Sequence, residues 1–131
     1  MNHLKTYKAF ESLSEDLISN VRDICLEIED DGRFKCSVNT KDIKGISKHY
    51  VLIYLSDIRD YDGFTFGEVK DVILRLKDYL GDKYDGCSAL ISGEIDRVEF
   101  DIDNEESIDY LDKAYNRIDA PGIGNLVIWI K

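Results

Sequence analysis

The residues that most invite a chemical reading are two runs of carboxylates. Asp57, Asp60 and Asp62 lead into Gly63, and Asp101, Asp103, Glu105 and Glu106 follow one another closely. Clustered acids can hold a hard cation or divide the work of a general acid and a general base. The first run resembles the opening of a calcium loop. A register with Gly63 in sixth place puts Ile58 first and Val69 twelfth, where oxygen ligands are required, so that match fails. In the second run, Asp101 and Asp103 share one face of an extended chain, yet acids at that place also suit the start of a helix. No metal site is assigned to either run.

Other reactive groups are sparse. Of the two histidines, His3 lies near the amino terminus and His49 enters an apolar run. No Ser or Cys stands in a nucleophile-elbow pattern. Gly122 and Gly124 in "PGIGN" lack the third glycine and following helix of a phosphate loop, so they read as a turn. The cysteines, Cys25, Cys36 and Cys87, are odd in number and widely spaced, which reads as free thiols and neither a disulfide framework nor a zinc site. No catalytic residue and no cofactor is assigned. One cationic group remains, Lys41, Lys44, Lys48, His49 and Arg59, which could line a pocket for a small anionic ligand such as a nucleotide.

Charge separates the function classes further. The chain carries a net charge of −10. Residues 1–31 hold 8 acids and 3 bases, residues 94–119 hold 10 and 3, and the middle is balanced. Such a surface repels nucleic acid and anionic membrane. It suits a basic protein partner. Glu15, Asp16, Asp23 and Glu27 on one segment, and Glu99 and Asp101 on another, are the candidates to meet it. Eight tyrosines add the expectation of a contact surface, including self-association into a homo-oligomer.

The elements that must position these groups follow from periodicity. Leu13, Leu17, Val21, Ile24 and Ile28 draw a helical stripe behind a Ser12/Glu15 capping box, with an end near Asp30. Phe34, Cys36 and Val38 alternate with Lys35 and Ser37 as a half-exposed strand. "NTKDIKGISK" reads as a polar connection, and "HYVLIYLS", apolar on both faces, as a central strand. Thr65 and Glu68 cap a second helix carrying Val69, Val72, Ile73, Leu76 and Leu80, stopped by Gly81. "CSALIS" and "IDRVEFDI" form a hairpin whose second strand has a wet, acidic face. Asp103 caps a third helix with Ile108, Leu111, Tyr115 and Ile118, and "LVIWI" is a last buried strand. The order α-β-β-α-β-β-α-β predicts an α+β fold, a mainly antiparallel five-stranded sheet with helices packed on one face. Residues 1–11 read as a leader and residues 12–131 as one domain.

The leader carries a resemblance. Lys5, Thr6, Tyr7 and Phe10, followed by Leu13-Ser14-Glu15, resemble the amino-terminal tag of head-targeted proteins in T-even-type tailed phages. Those tags begin Lys-Thr-Tyr-x-x-Phe and end at an apolar-x-Glu site cut by the prohead protease. Here the Glu follows the Phe later than in that pattern. The resemblance covers about the first 15 residues. It implies a small phage protein in the host cytoplasm or the virion, with a basic host or virion protein as partner. Three readings follow. They are a non-enzymatic accessory protein working by protein contact, a binder sequestering a small nucleotide signal, and a metal-dependent enzyme.

Overall fold

The computed structural model describes residues 14–30, 32–57, 62–116 and 122–131. The leader, with Leu13 and Ser12, lies outside them, as do Ile58, Arg59, Asp60 and Ile118.

Helix α1 spans Glu15–Glu29 and buries Leu17, Val21, Cys25 and Ile28. Its cap is Ser14, whose hydroxyl accepts from the Leu17 N–H at 3.1 Å. The cap expected at Ser12 is therefore displaced by two residues, because Ser14 takes the extended backbone that a cap requires. Asp30 closes the helix as expected. Strands β1 (Phe34–Ile43) and β2 (Ile46–Leu55) follow. The stretch read as a polar connection is instead the far half of this hairpin. Lys44 and Gly45 take φ of 51° and 82°, a two-residue turn whose twist matches that of the strands. Polar residues continue both strands because their side chains reach solvent there, while the backbone ladder holds from Phe34↔Leu55 to Ile43↔Ile46.

Helix α2 spans Phe66–Leu80. The Thr65/Glu68 capping box is present: Glu68 N–H donates to Thr65 Oγ1 at 3.2 Å, and Thr65 N–H to Glu68 Oε2 at 2.7 Å. Val69, Val72, Ile73, Leu76 and Leu80 are all buried, and Gly81 caps the end. A short 3₁₀ turn, Gly81–Lys83, leads to β3 (Tyr84–Ile91) and β4 (Arg97–Phe100). Helix α3 covers Glu105–Ala114. Its cap is Asn104, accepting from Ser107 N–H at 2.8 Å, in place of the expected Asp103. Strand β5 is Ile123–Ile130.

The sheet order is β1-β2-β5-β3-β4, with every pair antiparallel. The chain's last strand is thus the middle one. It slots between the two hairpins, and Phe64 and Ile123 exchange both backbone hydrogen bonds at 2.8 and 2.9 Å beside its start. Gly122 and Gly63 make that approach possible, since a Cβ on Gly122 would lie 1.9 Å from the Asp62 carbonyl oxygen. That is the physical reason for a glycine in "PGIGN".

The core lies between the helices and one sheet face. Val51, Ile53, Leu126, Ile128, Ala89 and Phe100 point into it with the buried helix residues. Helix α1 packs on β1 and α2, and α2 packs on α3 and β5. The register sets the other face. Lys35, Tyr54, Asn125, Leu90 and Arg97 form one row across it; Ser37, Leu52, Val127, Ser88 and Glu99 form the next; Asn39, Tyr50, Trp129 and Gly86 form a third. No helix of the described residues lies on those rows. The Tyr50–Leu55 half of β2, read as apolar on two buried faces, alternates instead between buried and half-buried positions.

Candidate functional site

The acidic residues gather on the shoulder where β4 runs into α3. Two sequence features hold them there. Phe100 and Ile102 are buried and anchor the connection from below, so the residues between and after them face outwards. The Asn104 cap then starts α3 with Glu105 and Glu106 in its first turn, where carboxylates complement the helix dipole. Glu99, Asp101, Asp103, Glu105 and Glu106 are all exposed.

Three adjoining concavities flank this shoulder. One of about 550 Å³ is lined by Tyr84, Asp85, Glu99, Asp101, Asp103 and Lys131 among others. A second, about 360 Å³, is bounded by Glu99, Asp101, Glu106, Ser107, Tyr110 and Leu111. The third, about 470 Å³, lies between α2 and the start of α3 with Lys77 and Asp103. An aromatic group stands at the margin of the second: Tyr110 is 69% exposed, although it belongs to helix α3.

Hydrogen bonding fixes the protonation states. Asp103 N–H donates to Asp101 Oδ1 at 3.0 Å and Ser107 Oγ–H to Asp101 Oδ2 at 3.1 Å. These two bonds, the backbone one first, hold the Asp101 carboxyl below the usual carboxylate range. Lys77 Nζ pairs with Asp103 at 3.2 Å, donates to the Ile102 carbonyl at 3.2 Å, and lies 5.6 Å from the Tyr84 ring centre. Burial foremost, then the charges of Cys87, Asp103 and Asp101, pushes the Tyr84 hydroxyl upward. Asp101 is thus kept ionised and Tyr84 protonated at neutral pH. General acid–base work asks for the opposite tuning, toward the working pH. The arrangement instead presents a fixed negative field with apolar handles.

Among the described residues, no group of three or more His, Cys, Asp or Glu side chains is arranged to hold a metal ion. Asp101 and Asp103, weighed as cation ligands, are turned to backbone and lysine partners.

The other expected site residues fall elsewhere. Glu15, Asp16, Asp23 and Glu27 lie exposed on α1, and Glu27 pairs with Arg75 of α2. Because α2 stands between α1 and α3, the two acidic sets occupy opposite flanks and do not merge. Lys41, Lys44 and Lys48 follow the β1–β2 ribbon and its turn, and His49 Nδ1 lies 2.9 Å from Thr40 Oγ1. None of the three concavities includes any of them, and Arg59 lies outside the described residues. All three thiols are free. Cys25 and Cys36, distant in sequence, hydrogen bond to each other across α1 and β1, which pushes the Cys36 thiol well up, aided by burial. Burial pushes Cys87 up to about 12. Tyr110 was not among the expected site residues; an aromatic on the polar side of α3 is the signal that could have marked it.

No protein family, curated protein or solved structure matches the chain. No helix among the described residues is long and apolar enough to cross a membrane.

Proposed function

We propose that the protein is a non-enzymatic, acidic accessory protein of phage origin that works by gripping a basic protein surface. The observation that carries this reading is the β4–α3 shoulder, where Glu99, Asp101, Asp103, Glu105 and Glu106 surround shallow concavities, one of them edged by the exposed Tyr110. Carboxylates fix register and speed encounter with a basic partner, and the exposed Tyr110 ring supplies contact area. The phage assignment rests on the tag-like Lys5–Phe10 segment and on Leu13-Ser14-Glu15. In the folded chain Ser14 and Glu15 form the cap and first turn of α1, so proteolysis after Glu15 requires that turn to open.

The full chain, immobilised and exposed to host lysate, should retain high-pI proteins at low salt and release them as salt rises. A variant with Glu99→Lys, Glu105→Lys and Glu106→Lys, all on exposed positions, should retain none of them. Equal capture by the variant, or recovery of no basic protein by the parent, overturns the proposal.

A further inference from the structure

The packing of α1 on β1 brings two thiols together. Cys25 belongs to the buried stripe of α1 and is 1% exposed. Cys36 lies in β1 directly opposite Ile53, which is fully buried. Residues directly opposite share a sheet face, so Cys36 points to the helix side with Phe34 and Val38. A backbone contact fixes the alignment. Glu29 stands one turn after Cys25 on the same flank of α1. Its carboxylate accepts a hydrogen bond from the Cys36 N–H at 3.4 Å. The last turns of α1 therefore lie over Cys36, and the two thiols hydrogen bond to each other.

We propose that Cys25 and Cys36 form an oxidative modification site, a dithiol that a hydroperoxide converts to an intramolecular disulfide clamping α1 to the edge strand. Exposure sets the order of events. Cys36 is half-buried on β1, which has a strand neighbour on one side only, so the peroxide meets it first. Its sulfur attacks the O–O bond of hydrogen peroxide, giving Cys36 sulfenic acid and one water. The Cys25 sulfur then attacks the Cys36 sulfur, the S–S bond forms, and the hydroxyl leaves as a second water. The two thiols give up two electrons and two protons, and one peroxide takes them up. Closure brings the sulfurs from hydrogen-bond distance to about 2.05 Å. An edge strand can yield that far, because a single ladder holds it. The bond to Cys25, then burial, keeps the Cys36 thiol protonated at neutral pH. The first step is therefore slow there and quickens as alkali supplies thiolate. Such a site is a slow, lasting clamp and no rapid peroxide sensor. Cys87 does not compete. It lies in β3, three strands from β1, about 14 Å across the sheet.

Hydrogen peroxide added to the folded full chain in mildly alkaline solution, followed by alkylation in denaturant, tests this. The mass before alkylation should fall by two hydrogens, and Cys87 alone should take the alkylating agent. Peptides carrying Cys25 and Cys36 should stay joined until dithiothreitol is added. The oxidised protein should melt several degrees higher, since the bond closes a loop in the unfolded chain. The rate should climb about tenfold per pH unit while Cys36 remains mostly protonated. Cys25→Ser should stop at a Cys36 sulfenic acid that dimedone traps. The parent's peptide map decides the matter even if that variant fails to fold. Three thiols still open to alkylation, after a treatment that oxidises the urea-unfolded chain, overturn the proposal. So does a link to Cys87 or to a second chain, a Cys36 sulfinic acid beside a free Cys25, or the same mixture of pairings that the unfolded chain gives.

Discussion

Replacing Gly122 with alanine tests how the middle strand is seated. The new Cβ would lie 1.9 Å from the Asp62 carbonyl oxygen, 2.9 Å from the Asp62 carbonyl carbon and 3.1 Å from the Gly63 Cα. All three neighbours are backbone, which cannot swing aside like a side chain. The two segments must part by about 1.5 Å to reach ordinary contact. Around that point sit three backbone hydrogen bonds: Phe64 N–H to Ile123 at 2.9 Å, Ile123 N–H to Phe64 at 2.8 Å, and Ser92 N–H to Gly122 at 2.9 Å. Stretching them by that distance takes them past the useful range. Phe64 and Ile123 are 0% exposed, so water does not replace the lost partners. At about 1 kcal/mol or more for each bond, the cost is about 3–5 kcal/mol. That is a large part of a total stability on the order of 5–15 kcal/mol. Urea unfolding followed by Trp129 fluorescence measures it. Gly45→Ala is the matched control. It has φ of +82° and nothing within 4 Å of its Cβ, so it should cost only the left-handed strain of about 1–2 kcal/mol. A Gly122→Ala cost no greater than that of the control would refute the crowding argument.

The capping box of α2 offers a second test: Thr65→Ala removes the acceptor of the Glu68 N–H and should cost about 1 kcal/mol in the same unfolding assay. Glu68→Gln keeps a side chain able to bond back to Thr65 but loses the ion pair with Arg33 at 3.1 Å; both groups are about one-third exposed, so its cost should stay below about 1 kcal/mol. Alkaline pH should unfold the protein through its buried thiols. Cys87 rises from an ordinary 9.0 to about 12, so its contribution is complete below pH 9 and lost as pH climbs toward 12. Cys36 and Tyr84 are shifted in the same direction. Denaturation midpoints should therefore fall steadily across that window, and less steeply in a Cys87→Ala variant.

Local residue patterns are enough to define the set of elements. The stripes of α1 and α2 each need one apolar face, and each contains the periodicity that demands it. The Thr65/Glu68 box, the Gly81 stop and the alternation of Phe34, Cys36 and Val38 are local physics, legible within a few residues. Caps were legible only in kind. The caps fall at Ser14 and Asn104, which take the extended backbone, and a polar run offers several equal candidates. The hairpin through Lys44-Gly45 escaped because its residues are polar on both faces, while the ladder that holds it is backbone.

The distribution of charge follows from the packing of the elements. In sequence the middle third is balanced, with 9 acids and 10 bases from residue 32 to residue 93. In space, strand alternation carries Lys35, Lys41 and Lys48 to one side of an open face, while helix α2 separates the acids of α1 from those of the β4–α3 shoulder. The insertion of β5 between the hairpins made that face, by setting Trp129 beside Tyr50 and Val127 beside Leu52. Strand order depends on long-range pairing and on whether Gly122 can lie against Asp62, and neither is written in any local pattern of residues.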